Sequence, residues 1–447
     1  MGSLAGLPDA PLSDRARLMR EIAAGLEALG DGIIEVAMRE TNLPEARLKG
    51  ERARTAFQLR SYADACERGD WLELRIDTAD LQRIPPKADI RKMMVPMGPV
   101  LVYGASNFPF AYSTAGGDTA CALAAGCTVV VKAHPAHPDT SDAVAACIRK
   151  ALTACGFPED IFLHVHTQSL EEGRALVIHP RTRAVGFTGS HLAGRSIFNW
   201  ANERKDPIPV FAEMGSANPV IIHNDLSKFE QVDYATKLAF SITNDAGQFC
   251  TKPGIIFIPN GEAGQGFLDE LKHAISSVKP VPMLHPVILQ NFESRRNQIL
   301  SIDGVQAYLS ETETKGIEGK WCLAETTLKN FTTHQTMQEE VFGPFALVVR
   351  YERANELNEC LRLFSGQLTG SIFYHNLDPI VEEWIELLSA KVGRIVLNGV
   401  PTGVRVVETM HHGGPYPASS DVRFTAVGQD SIQRFQKDVT IQVQNIT

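Results

Sequence analysis

Gly247-Gln248-Phe249-Cys250 places a thiol directly after a turn-forming pair. A free cysteine has a pKa of about 8.5 and becomes a good nucleophile only where its surroundings favour the thiolate. A Gly-Gln turn can bring the sulfur close to backbone amides. Taken alone, Cys250 reads equally well as one more buried cysteine, the usual fate of that residue. Glu213 ends the apolar run Val210-Phe211-Ala212 and is followed by Met214-Gly215. A carboxylate at the end of a strand, beside a glycine, stands where α/β sheets place site residues, and partial burial would raise its pKa toward that of a general base. By itself it reads more simply as a solvated strand end. Asn107, in Ser106-Asn107-Phe108-Pro109, carries an amide that can donate to an oxyanion, or is a plain turn asparagine. Phe187-Thr188-Gly189-Ser190, with Gly194 following, is a strand-to-helix junction with a hydroxyl, suited to a phosphate. It is not a GxGxxG fingerprint, and Ser190 serves equally as an ordinary N-cap.

These residues need elements to carry them. From residue 100 onward, short apolar runs alternate with longer amphipathic ones. Strands are predicted at Val100–Tyr103, Val129–Lys132, Phe162–Val165 and 184–187, and helices at 113–125 and 140–155. This alternation predicts a doubly wound parallel sheet covered on both faces. A second α/β pattern follows Glu213, with strands at 220–222, 255–258 and Val392–Leu397 and a helix over 232–243. Ahead of the first sheet, Leu18, Ile22, Leu26 and Leu29 repeat at helical spacing behind Ser13, read as an N-cap, and Ile33, Ile34, Val36 and Ala37 continue the helical pattern. Residues 82–97 contain Pro85, Pro86 and Pro96 around an alternating stretch, which fits one strand of a protruding arm. Residues 439–443 alternate likewise and are expected to pair with it.

The chain has 447 residues, 44% of them hydrophobic, which suggests two or three domains. Its net charge of -9, without a run of like charges, gives no basis for nucleic-acid binding. The cysteines are Cys66, Cys121, Cys127, Cys147, Cys155, Cys250, Cys322 and Cys360. None forms a CxxC pair, so no metal site is expected, and most read as small buried residues of a reducing compartment. The start of the chain lacks a basic n-region and an apolar h-region, and Gly6 breaks the myristoylation pattern. The longest apolar stretch, 120–131, is interrupted by Gly126 and Thr128 and is too short to span a bilayer. The expectation is a cytoplasmic protein with no membrane partner.

Taken together and in order, these elements resemble the aldehyde dehydrogenase superfamily from about Leu18 to the C-terminus. Asn107 matches that family's oxyanion asparagine, Lys132 its cofactor-ribose lysine, and the turn with Gly189 and Ser190 its phosphate-binding turn. Glu213 matches the general base and Cys250, in GQxC, the nucleophile. Glu340-Val341-Phe342-Gly343-Pro344 matches the element that holds the nicotinamide ribose through Glu340 and Phe342. The resemblance implies a doubly wound Rossmann-like cofactor domain (1–80 and 99–212), an α/β catalytic domain (213–420) and a small β oligomerisation arm (81–98 and 421–447). It implies oxidation of a small aldehyde to a carboxylic acid through a cysteine thioester, without a metal, in a homodimer or homotetramer.

Some positions depart from the family. Ala105-Ser106 replaces its Pro-Trp, Met214-Gly215-Ser216 replaces its Leu-Gly-Gly, and Lys132-Ala133-His134-Pro135 replaces its Lys-Pro-x-Glu. With His412-Gly413-Gly414-Pro415-Tyr416-Pro417, these departures resemble the α-ketoglutaric semialdehyde (2,5-dioxovalerate) dehydrogenase subgroup; NADP-linked fatty aldehyde dehydrogenases are similar to it and give the alternative substrate. A CoA-acylating relative and a non-catalytic structural relative complete the alternatives; Glu213 argues against the first, and Cys250, Glu213 and Asn107 together argue against the second. The family's opening hairpin and the first part of its cofactor domain are expected to be missing. NAD-preferring members place a glutamate three positions after the ribose lysine, where it repels a 2′-phosphate. Here that position is Pro135, Lys132 remains as a cation, and His134 offers a donor or, if protonated, a charge. NADP is therefore the expected cofactor, with NAD as the second acceptor.

Overall fold

The computed structural model describes Leu7 and residues 10–443. The readings that touch residues 1–6, 8, 9 and 444–447, namely the myristoylation and leader patterns and the outer ends of the first domain and of the arm, lie outside the described residues. Leu18, Ile22 and Leu26 line the buried face of α1 (Leu12–Ala28). Ser13 does not cap this helix. Pro11 stands at the N-cap with no side-chain hydrogen bond, and the helix starts one residue before Ser13, consistent with proline's preset φ at a helix entrance. Helices α2 (Gly32–Thr41) and α3 (Glu45–Arg68) follow. The expectations above do not include α3, because Glu51, Thr55, Gln58 and Tyr62 are all buried on it and break the apolar rhythm that marks a helix.

Next come β1 (Arg75–Asp77) and β2 (Asp89–Pro96), then the alternating series β3 (Val100–Tyr103), α4 (Gly117–Ala125), β4 (Val129–Lys132), α5 (Pro138–Cys155), β5 (Phe162–Val165), α6 (Leu170–Ile178), β6 (Ala184–Thr188), α7 (His191–Asn202) and β7 (Val210–Glu213). Helix α4 begins four residues later than its pattern suggests. The chain doubles back at Gly116, where a Cβ would lie 2.3 Å from the Ala111 carbonyl oxygen. The strands form a five-stranded parallel sheet in the order β5-β4-β3-β6-β7. Val100 and Val102 face one core with α1–α5, while Leu101 faces another with Val185 and Phe187, as strand alternation requires. Since β4 lies on one side of β3 and β6 on the other, the strand order reverses here, and the strand ends at Tyr103, Lys132 and Phe187 border the crevice where such sheets bind ligands.

The second half contains β8 (Pro219–Ile222), α8 (Lys228–Thr243), β9 (Ile255–Pro259), α9 (Glu262–Ser276), β10 (Val281–Pro282), α10 (Pro286–Leu300), β11 (Gln306–Leu309), β12 (Glu318–Gly319), β13 (Cys322–Thr327), α11 (Leu328–Thr333), β14 (Phe345–Tyr351), α12 (Ala354–Leu363), β15 (Gln367–Phe373), α13 (Pro379–Ser389) and β16 (Val392–Leu397). Seven of these strands form a sheet in the order β11-β13-β14-β9-β8-β15-β16, parallel except at β11. Apolar cores cover both faces. Finally β17 (Gln436–Val443) pairs antiparallel with β2, completing the sheet β1-β2-β17.

Three details differ from the sequence-based division. Glu213 is the last residue of β7 and so belongs to the five-stranded sheet. Strand β1, within residues 1–80, pairs with β2 rather than with the first sheet. Ile432 and Phe435, within 421–447, lie in the helical core, where buried Arg434 meets Asp118 at 2.8 Å. Among the described residues no helix is long and apolar enough to cross a membrane.

Candidate active site

Of the eight cysteines, seven are buried and Cys250 alone keeps partial exposure. The turn before it is held in an unfavourable backbone. Asp245, Ala246 and Gly247 have φ of 47°, 55° and 64°. Left-handed backbone costs a non-glycine residue about 1–2 kcal/mol, so tertiary contacts must hold it. Arg47 on α3 reaches Asp245 at 3.2 Å. A Cβ at Gly247 would lie 2.5 Å from the carbonyl oxygens of both Ile242 and Gly343, so this position must be glycine. Gln248 Oε1 accepts from Leu284 N at 3.0 Å, and its Nε2 donates to Asp245 O at 2.9 Å. On the other side, buried Asn218 donates to Cys250 O at 2.8 Å and Lys252 O at 2.9 Å. The nucleophile candidate is thus clamped on both sides.

Asn107 joins the same cluster. Its Nδ2 donates to Gln248 O at 3.0 Å, which fixes the amide and leaves its second N–H for another acceptor. The loop after it is pinned by Glu51, whose Oε1 accepts from Phe110 N and Ala111 N, both at 2.8 Å, and whose Oε2 accepts from Arg47 at 2.7 Å.

Glu213 is only 5% exposed. Its Oε1 lies 2.8 Å from His412 Nε2, yet neither carboxylate oxygen has an aligned hydrogen-bond partner among the described residues. A buried carboxylate normally fills its acceptor sites, and one with open sites is ready for a water or a substrate hydroxyl. The same imidazole nitrogen is 3.6 Å from Cys250 Sγ. His412 reaches this place because residues 412–420 run along the end of β7, where Met214 N donates to Ala418 O at 2.8 Å and Ser420 N to Ala212 O at 3.0 Å. Burial, with the charges of Glu213 and Glu340, pushes the Cys250 thiol well above its ordinary value.

Glu340 packs over Gly215, where a Cβ would come within 2.3 Å of its Oε2. Burial pushes the Glu340 carboxyl up, offset by Lys252, and burial pushes Lys252 down. Lys252 Nζ donates to Phe345 O at 2.7 Å. Phe342, in the same loop, is half-buried.

The strand ends of the five-stranded sheet are more open. Lys132, at the tip of β4, makes no ion pair among the described residues, and burial pulls its pKa down. His134 Nδ1 accepts from Ala136 N at 3.1 Å, and its ring stacks on His137 at 5.6 Å. Burial, helped by the charges of His137, Lys132 and His285, holds its pKa at about 3. The protonated form allowed for above is therefore absent at neutral pH, and the ring offers one N–H donor at Nε2. Ser190 caps α7, accepting from Ala193 N at 3.4 Å. Gly189 rests on the Phe187 ring, 2.7 Å from where a Cβ would stand, and its N–H donates to Glu213 O at 3.0 Å. A capped, solvent-facing helix N-terminus over a glycine too crowded for a side chain fits a pyrophosphate, and the unpaired Lys132 fits a ribose or its phosphate.

The structure therefore brings Cys250, Glu213, Asn107 and Glu340 into one cluster and sets Lys132, His134, Gly189 and Ser190 at the strand ends beside it. Sequence reasoning missed His412, Asn218 and Lys252 as site residues. His412 carried a signal, its Gly-Gly-Pro sequel, but nothing local tied it to Cys250. Two groups among the described residues bring three metal-ligand atoms within 4.8 Å of one another, Glu213-Cys250-His412 and Asp142-His164-His166.

Residues 4–436 match the model of the aldehyde dehydrogenase family. The chain is 40% identical to α-ketoglutaric semialdehyde dehydrogenase 2 of Azospirillum brasilense, over 97% of this chain and 83% of that protein. It is also 40% identical to an α-ketoglutaric semialdehyde dehydrogenase of Acinetobacter baylyi, over 96% and 82%. Among solved structures, a 3,6-anhydro-L-galactose dehydrogenase in complex with NAP superposes with a TM-score of 0.84 at 20% identity, over 98% of this chain and 88% of that one. Proline utilization A of Bradyrhizobium japonicum gives 0.82 at 23%, over 98% of this chain, which spans 44% of that longer one. At these identities the two structures share the fold.

Proposed function

This chain belongs to the aldehyde dehydrogenase family and is an oxidoreductase acting on aldehydes with NAD(P), and we propose that it converts 2,5-dioxovalerate to 2-oxoglutarate through a thioester on Cys250. The observation that carries the chemistry is the convergence of one partly exposed thiol, a buried carboxylate with open acceptor sites and an oriented amide donor. The substrate reading is supported by the 40% identity to enzymes named for that semialdehyde.

In this mechanism the Cys250 thiol gives up its proton toward His412 and Glu213, which stand 3.6 Å from the sulfur and 2.8 Å from the imidazole respectively. The thiolate adds to the aldehyde carbon. The free N–H of Asn107 and the Cys250 backbone N–H stabilise the tetrahedral oxyanion. When bound, the dinucleotide supplies the hydride acceptor; Lys132, His134, Gly189, Ser190, Glu340 and Phe342 would hold it. After oxidation the sulfur carries the acyl group, and Glu213 draws the proton from the water that hydrolyses it. The open carboxylate favours water over CoA as acceptor. NADP is favoured over NAD because Pro135 leaves no carboxylate beside Lys132 to repel a 2′-phosphate.

On this reading the five-stranded sheet with its helices holds the dinucleotide, and the seven-stranded sheet carries Cys250. The β1-β2-β17 arm, whose Ile76, Ile441 and Val443 are exposed, associates copies into a homodimer or homotetramer. The test is dinucleotide reduction with 2,5-dioxovalerate, pentanal and decanal, with and without CoA. The highest kcat/KM is expected for 2,5-dioxovalerate, independent of CoA. A higher value for decanal would move the assignment to fatty aldehydes, a requirement for CoA would make it an acylating enzyme, and no reduction with any aldehyde would refute catalysis.

A further inference from the structure

Two arginines near Cys250 form no ion pair with a carboxylate among the described residues. Arg54, on α3, donates from Nη2 to the Tyr112 hydroxyl at 3.1 Å, with its guanidinium 5.2 Å from the centre of that ring. Its Nη1 is buried and has no hydrogen-bond partner among the described residues. The Tyr112 ring in turn lies 6.3 Å from that of His412, which touches Cys250. Arg394, on β16, donates from Nη1 to Gly403 O at 3.0 Å and from Nη2 to Pro401 O, and it rests 4.0 Å from Met410 Sδ, two residues before His412. Its Nε is also buried and unpartnered. Both guanidinium groups lie within electrostatic reach of Cys250.

Both residues keep partial exposure, but a cation drawn out of water still needs an anion and hydrogen bonds to compensate it, and burial draws the Arg394 pKa down. The carboxylate nearest Arg54, Glu51, is already taken by Arg47 and two backbone amides. The surroundings are otherwise apolar, with Phe108, Val404 and Val406 packed around Tyr112. A structural arginine in such a place would be satisfied; two with open donors call for an anion from outside. The substrate proposed above has one, a carboxylate with an adjacent keto oxygen, four carbon–carbon bonds from the aldehyde carbon. Its acceptors match the forked donors of guanidinium.

We propose that Arg54 and Arg394 form the subsite that binds the α-keto carboxylate end of the substrate, and so select aldehydes bearing a distal carboxylate. This assignment rests on the 2,5-dioxovalerate reading, and the experiment separates the two. Arg54→Gln, Arg54→Lys and Arg394→Gln are compared with the unaltered enzyme on 2,5-dioxovalerate and on pentanal, with glutarate as competitive inhibitor against pentanal. In Arg54→Gln the ratio of kcat/KM for 2,5-dioxovalerate over pentanal should fall roughly 30-fold or more, the effect of removing one partner of a buried charge pair, mostly through KM. Glutarate inhibition should weaken in parallel, Arg394→Gln should act in the same direction, and Arg54→Lys should retain part of the ratio and guard against misfolding of the glutamine variant. Equal losses on both aldehydes, or unchanged glutarate inhibition, would overturn the assignment. If the unaltered enzyme prefers pentanal while the ratio still falls in the variants, the substrate reading fails and the subsite stands. If it prefers 2,5-dioxovalerate and the ratio holds, the reverse is true.

Discussion

The cysteine end and the proposed dinucleotide end of the site are built on different plans. The cysteine end is assembled from segments far apart in the chain: Arg47 and Glu51 from α3, Asn107 after β3, Glu213 at the end of β7, Asn218 before β8, and His412 from a late loop. It is buried, its turn adopts left-handed backbone, and its key carboxylate has open acceptor sites. The dinucleotide end consists of two local strand-to-helix junctions, β4 into α5 and β6 into α7, with Ser190 and Pro135 facing solvent. Charges at the first end act across a largely buried interior, with Arg47, Asn107 and Cys250 partly exposed; those at the second are partly screened. Single substitutions should therefore be severe at the first end and graded at the second.

The sharpest way to break that contrast is Cys250→Ala. It should lower aldehyde oxidation by roughly 10⁴-fold or more, since the other seven cysteines are buried, with the circular dichroism spectrum unchanged. Retained turnover would remove the thiol from the mechanism. Glu213→Gln should lower steady-state turnover by roughly 10²–10⁴ while leaving a fast first turnover, so rapid mixing should show a burst of reduced dinucleotide; loss of the burst itself would place Glu213 in the earlier chemistry. Asn107→Ala should lower kcat by roughly 10²–10³, as for one oxyanion donor, with KM changing less; a pure KM effect would make Asn107 a substrate-positioning group.

At the dinucleotide end the effects shrink. Pro135→Glu should lower the kcat/KM ratio of NADP to NAD by about tenfold, the scale of one partly screened charge contact. A ratio that stays fixed at constant ionic strength would mean that this position does not read the 2′-phosphate. The smallest effect concerns His134. Its pKa is depressed to about 3, so the neutral ring predominates throughout pH 6–8 and protonation sets in only near pH 3. The pH profile of the NADP-to-NAD ratio over that range should be the same in His134→Ala as in the unaltered enzyme. A step near pH 6.5 that disappears in the variant would show an imidazolium at work.

The same contrast explains what could be read in the chain. Val100–Tyr103 and Val129–Lys132 are mainly apolar because they lie inside a covered sheet, Phe162–Val165 forms its edge with Leu163 exposed, and the bounds of all three match the pattern. The pairing of β17 with β2 also followed from alternation in each. Helix α3 was illegible for the opposite reason: its inward face carries Glu51, Gln58 and Tyr62, whose partners are tertiary. Arg54 and Arg394 carried no signal, since an arginine in sequence looks the same whether solvated or buried.

By itself the sequence determined the doubly wound pattern and the missing carboxylate at Pro135, because each is written in local residue order and spacing, and its resemblance to the family singled out Cys250, Glu213 and Asn107 as candidates. Only the tertiary structure decided that His412 meets both Glu213 and Cys250, that Asn218 and Gln248 clamp the cysteine turn, that burial draws the His134 pKa down, and that two arginines near the sulfur lack counter-ions. Burial and through-space distance produce those facts, and neither is a property of neighbouring residues in the chain.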